Sequence, residues 1–143
     1  MPAEIRIFFL NLGVISLFIL LYPFSSMASL GCNVADLTIG FVGTGKISAA
    51  MARGFCSLPN KPKQILISKR NEIKANALVS EHPELIAIAE NDDIVRQSDV
   101  VFVGLLPPVA REIMPHLPWT EEGSRLRLVV SMMAAVNLDE VYI

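Results

Sequence analysis

Histidine and cysteine are scarce in this 143-residue chain, two of each, and none of the four stands at the spacing of a zinc-ligand set. Cys32 and Cys56 form no C-x-x-C pair, so both read as free thiols of a reducing compartment, and no metal site is expected. An excess of positive charge is also lacking: 12 Lys and Arg stand against 14 Asp and Glu, a net charge of −2. Affinity for nucleic acid rests on neutralising phosphates, so that class of partner is excluded. The chain has no internal repeat and no low-complexity segment, and it is too short for two domains of ordinary size.

What it has in excess is apolar residues, 52% of the total, and part of that excess lies in the uncharged run IFFLNLGVISLFILLYPF, residues 7 to 24. A helix needs about 20 such residues to cross a bilayer, so the run is at the short end of a membrane span. It also suits the apolar part of a signal peptide, with Ser26-Met27-Ala28 as a small-residue cleavage pattern. Glu4 offsets Arg6, however, and leaves the positive flank weak. A third reading starts the domain near Met27, in MASLGCNVADLTIGF, and makes residues 1 to 26 a hydrophobic extension that the fold does not use. The expectation is therefore an extension over 1 to 26 and one domain over 37 to 143. Its location is cytoplasmic, or membrane-anchored if residues 7 to 24 are a genuine anchor.

From Leu37 onward, short apolar runs alternate with amphipathic stretches, as they do when parallel strands buried on both faces are joined by helices. Strands are expected at LTIGFV (37 to 42), QILIS (64 to 68), LIAIA (85 to 89), DVVFVG (99 to 104) and RLVVSM (127 to 132). Helices are expected from Lys46 to Leu58, Glu72 to Glu81, Asp92 to Gln97 and Val109 to Leu117, with Asn71 and Asn91 as N-caps and a further helix from Asn137. Pro59 and Pro62 mark the turn after the first helix, and Pro107 and Pro108 the end of the fourth strand. Right-handed crossovers then give an α/β, Rossmann-type doubly wound parallel sheet in the order 3-2-1-4-5. Its binding crevice lies at the carboxyl ends of the first and fourth strands.

That crevice coincides with Gly43-Thr44-Gly45-Lys46-Ile47-Ser48, a strand-to-helix turn carrying the first two glycines of the dinucleotide fingerprint, with Ser48 in the third place. Gly43 provides the tight turn, Gly45 leaves room for a pyrophosphate, and the helix from Lys46 points unpaired N–H groups at the anion. Ordinary turn glycines are the alternative. The cofactor is read at the end of the second strand, about 20 residues on, where a carboxylate selects NAD. Here the residues are Ser68-Lys69-Arg70, a hydroxyl and two cations, which favours the 2′-phosphate of NADP; solvated loop charges are the alternative.

Four blocks, IGFVGTGKISAAMARGF, ISKR, ENDDIVRQSDVVFVGLLPP and LVVSMMAAVNLDEV, together resemble the N-terminal domain of the pyrroline-5-carboxylate reductase family, and they cover most of the chain beyond Leu37. The resemblance implies an NADP-dependent oxidoreductase that reduces 1-pyrroline-5-carboxylate to L-proline. It implies that Thr44, Lys46 and Ile47 hold the phosphates and Ser68 and Arg70 the 2′-phosphate end. Asn91 would meet the adenosine ribose, Leu105 and Leu106 the ribose and nicotinamide beside Pro107, and Ala134 the nicotinamide. Helix capping for Asn91 and packing for the leucines and Ala134 are the alternatives. Leu106 stands where the family has lysine, and Ala135 where it tends to have glycine. Leu-Leu-Pro is closer to β-hydroxyacid dehydrogenases, which remain an alternative.

In the family a helical C-terminal domain completes the active site and forms the homo-oligomer, and this chain stops before it. No catalytic residue is assigned: His82 and His116 fall on a turn and a helix end. A non-catalytic nucleotide-binding or regulatory module is the reading from another class.

Overall fold

The computed structural model describes the backbone of residues 6 to 9 and residues 33 to 122 and 124 to 133 in full. The expected anchor beyond residue 9, Cys32, Ala134, Ala135 and the helix from Asn137 lie outside the described residues.

Among the described residues six strands form one parallel sheet: β1 (Arg6–Phe9), β2 (Thr38–Val42), β3 (Gln64–Ser68), β4 (Ile86–Ala89), β5 (Val100–Val103) and β6 (Leu128–Ser131). Their spatial order is β1-β6-β5-β2-β3-β4. The five strands read from the sequence are β2 to β6, in the expected order 3-2-1-4-5. The addition is β1, which runs parallel to β6 with Arg6 opposite Leu128 and Phe9 opposite Ser131. Part of the segment expected to lie outside the fold is thus its edge strand. An uncharged run without alternation does not distinguish strand, helix and span, so the sequence could not place it. No helix among the described residues is long and apolar enough to cross a membrane.

Among the described residues four α-helices connect the strands: α1 (Lys46–Cys56), α2 (Glu72–Glu81), α3 (Asn91–Gln97) and α4 (Pro107–Ile113). The Asn71 side chain caps α2 as expected, accepting from the Lys74 amide at 3.3 Å. Asn91 is not the cap of α3: Glu90 holds that position and Asn91 is the first helical residue. Helix α4 starts at Pro107, two residues before its expected start, because proline at the first helical positions sacrifices no intrahelical hydrogen bond. It gives way at Met114 to a 3-10 turn containing Pro115, which cannot donate the next helical N–H.

Side chains alternate across the sheet. Ile39, Phe41, Ile65 and Ile67 pack with Ala49, Ala52 and Cys56 of α1 and Leu78 of α2. On the opposite side, Val42, Leu66, Val101, Val103 and Val129 pack with Ile94, Val95, Ala110 and Trp119. The Phe41 and Phe102 rings stack at 5.2 Å, and Phe55 of α1 sits against both. At the amino end of the sheet the buried carboxylate of Asp99 accepts the Thr38 amide at 2.9 Å and faces Arg125 at 3.3 Å, tying β5 to β2. The carboxyl end is left for the site.

Candidate cofactor-binding site

Strands β2 and β5 are neighbours whose helices leave on opposite sides, so a crevice opens above them between two glycine turns. Gly43 follows β2 and Gly104 follows β5, joined by a hydrogen bond from the Gly104 amide to the Val42 carbonyl at 2.9 Å. Gly43 has φ +98°, and a Cβ there would lie 2.5 Å from the Gly104 carbonyl oxygen, so conformation and space both demand glycine. A Cβ on Gly104 would meet the Ser48 hydroxyl at 2.8 Å.

Gly45 differs. Its φ of −84° suits any residue, and a Cβ would meet nothing within 4 Å. Neither backbone nor packing requires glycine at this position, and the space it leaves fits a ligand approaching from the crevice. Gly45 is also the N-cap of α1 and supplies no side-chain cap, so the first-turn amides of Lys46, Ile47 and Ser48 have no side-chain capping partner among the described residues. Bare amides at the positive end of an 11-residue helix suit an anion.

The crevice has two parts. One, of about 470 Å³, is lined by Gly45, Lys46, Ile47, Ser48, Gly104, Leu105, Leu106, Pro107, Met132 and Met133. The other, of about 290 Å³, is lined by Gly43, Thr44, Gly45, Arg70, Asn71, Gly104, Leu105, Leu106 and Val109. Among the described residues no carboxylate lines either part. Leu106 is 73% exposed and Ile47 54%, so large apolar side chains stand open at the first part, while Leu105 is buried. Met132, Met133 and Gly104 were not singled out in the sequence, and Asn71 only as a helix cap. The position of Gly104 directly after a buried strand, mirroring Gly43, was the available signal.

Ser68, Lys69 and Arg70 share the end of β3 but not one role. Ser68 is buried, its hydroxyl accepting the Gly43 amide at 3.0 Å, and it lines neither part of the crevice. Thr44 is buried too, its hydroxyl donating to the Ser68 carbonyl at 2.7 Å, which leaves its backbone for a ligand. Lys69 pairs with Glu90, whose carboxylate holds the Lys69 ammonium pKa above its ordinary value. Arg70 is exposed, lines the crevice, and makes no ion pair among the described residues.

Asn91 opens α3 beyond the carboxyl end of β4 and lines a different cavity, of about 700 Å³, with Glu90, Asp92, Asp93, Arg96, Glu112 and His116. His82 ends α2 away from the crevice. Among the described residues no group of His, Cys, Asp and Glu could hold a metal ion.

Residues 38–135 match the family model described as NADP oxidoreductase, coenzyme F420-dependent. The pyrroline-5-carboxylate reductase of Glycine max is 28% identical over 104 residues, 73% of this chain and 37% of that protein. Pyrroline-5-carboxylate reductase 2 of Rattus norvegicus is 26% identical over 106 residues, 73% of this chain and 32% of that protein. The chain thus spans about a third of the length of these relatives. In fold it is similar to 1-pyrroline-5-carboxylate reductase from Streptococcus pyogenes, with TM-score 0.55 and 20% identity over 75% of this chain and 38% of that one. It is also similar to Plasmodium falciparum pyrroline carboxylate reductase with NADP bound, with TM-score 0.58 and 16% identity over 76% and 37% of the two chains. The chain belongs to the NADP oxidoreductase, coenzyme F420-dependent, family, and its matched residues correspond to the N-terminal domain of the pyrroline-5-carboxylate reductases.

Proposed function

We propose that this crevice binds NADP(H) and that the chain serves the NADP-dependent reduction of 1-pyrroline-5-carboxylate to L-proline in proline biosynthesis. The observation that carries the cofactor choice is Arg70, an exposed guanidinium on the same crevice as Gly45 and without an ion-pair partner among the described residues, where no carboxylate stands to meet a ribose hydroxyl. The backbone of Gly43 to Ile47 holds the pyrophosphate, and Lys46 adds positive charge beside it. Leu105, Leu106, Pro107, Met132 and Met133 form an apolar wall that keeps water from the nicotinamide end. Bound there, the cofactor supplies a hydride.

An imine also needs a proton, and no described residue lining the crevice is a carboxylic acid, histidine, cysteine or tyrosine. The role of these residues is to bind and orient the cofactor, and no proton donor is assigned among them. A cytoplasmic location and a homo-oligomeric assembly belong to the same reading.

The test is the ratio of NADPH to NADH affinity in the parent chain and in Arg70→Glu. The parent is expected to prefer NADPH, and the substitution to weaken NADPH by about tenfold or more while sparing NADH, since a charge-assisted phosphate contact becomes a repulsion. An unchanged ratio would remove Arg70 from the site.

A further inference from the structure

We infer that Ser68 is a positioning residue for the cofactor, whose hydroxyl braces the glycine turn against the end of β3 and gives no hydrogen bond to the 2′-phosphate. The inference rests on the NADP reading above and reassigns one of its residues.

The hydrogen atoms decide it. A phosphate oxygen accepts hydrogen bonds, so a serine that holds it must offer its single hydroxyl proton. Thr44 Oγ1 gives its own proton to the Ser68 carbonyl at 2.7 Å. The 3.1 Å contact between the Thr44 and Ser68 hydroxyls is then donated by Ser68. One lone pair of Ser68 Oγ meanwhile accepts the Gly43 amide at 3.0 Å. The only proton of Ser68 is committed within this ring, and the side chain, 2% exposed, lines neither part of the crevice.

The ring sets geometry instead. Gly43 is held in its left-handed conformation through its amide by Ser68 and through its carbonyl by the Ser48 hydroxyl, at 2.6 Å. Arg70 follows Ser68 by two residues on the same strand end. Ser68 therefore fixes the turn that meets the pyrophosphate relative to the cation that meets the 2′-phosphate. Loss of a phosphate ligand would act on NADPH alone, whereas loss of the brace acts on NADPH and NADH alike, because both carry the pyrophosphate.

The experiment titrates the full chain and Ser68→Ala with NADPH and with NADH by calorimetry. Both affinities are expected to fall about three- to tenfold with their ratio unchanged, the range for losing one buried hydrogen bond. Ser68→Cys, nearly the same shape with a weak donor and acceptor, is expected to fall between parent and alanine for both nucleotides. A loss confined to NADPH, or no loss for either, would overturn the assignment. Amide exchange at Gly43 without nucleotide separates this inference from the function it rests on. If the parent chain bound neither nucleotide, the proposed function would fail. A Gly43 amide that exchanged no faster in Ser68→Ala than in the parent would overturn the brace whether or not nucleotide bound.

Discussion

Two glycines of one turn need opposite explanations, and substitution separates them. Alanine at Gly43 must adopt a φ of +98° with its Cβ 2.5 Å from a carbonyl oxygen. Gly43→Ala is expected to lose about 2 kcal/mol of stability or more, measured by denaturant unfolding. Valine at Gly45 finds empty space, so Gly45→Val is expected to leave stability within about 1 kcal/mol of the parent, the scale of a poorer N-cap. It should nonetheless weaken NADPH and NADH together, by calorimetry, because it fills the pyrophosphate approach. A Gly45→Val chain that bound both as well as the parent would place the anion elsewhere. At this scale the sequence showed which residues gather at the turn, and the cation at Arg70, because the fingerprint fixes both by spacing. It did not show that Ser68 turns inward, since a hydroxyl at a strand end reads the same whether it meets a ligand or an amide 25 residues away.

Among the elements, the strands and their order were legible from apolar runs and crossover handedness, while the helix ends were less so. Asn91 has the right chemistry for a cap, but the carboxylate before it holds the position and pairs with Lys69. Helices α1 and α2 are linked by a two-pronged pair, Arg53 Nε to Glu81 at 2.6 Å and Nη2 at 2.8 Å. Hydrogen bonding to Arg53 lowers the Glu81 pKa, so the pair's stabilisation is present above the ordinary glutamate range and is lost as pH falls through the lowered folded-state value. Both groups are exposed and the effect is small. Glu81→Gln is expected to flatten that part of the acid-unfolding profile, and an identical profile would show the pair contributes nothing. Strand β1 gives a larger expectation. Deleting residues 1 to 9 makes β6 an edge strand, so its amides are expected to exchange faster and the protein to self-associate more readily. Unchanged exchange in Leu128–Ser131 would mean β1 adds nothing to the sheet.

For the whole molecule, binding and turnover are expected to separate. Holding two reactants in reacting geometry contributes about 7 to 11 kcal/mol to lowering a barrier, and the role proposed for the crevice residues is to hold only one of the two, the cofactor. The 143-residue chain is expected to bind NADPH without oxidising it at a measurable rate when pyrroline-5-carboxylate is added, followed by NADPH absorbance. Turnover at the rate of a complete reductase would show that these residues also position the imine and supply its proton.

An NADP site in the crevice between Gly43 and Gly104 is tested by a calorimetric titration of the unsubstituted chain with NADPH and, separately, NADH. Saturable binding of one NADPH per chain, at least about tenfold tighter than NADH, is the predicted result. Equal affinity for the two, or no binding of either, would contradict it.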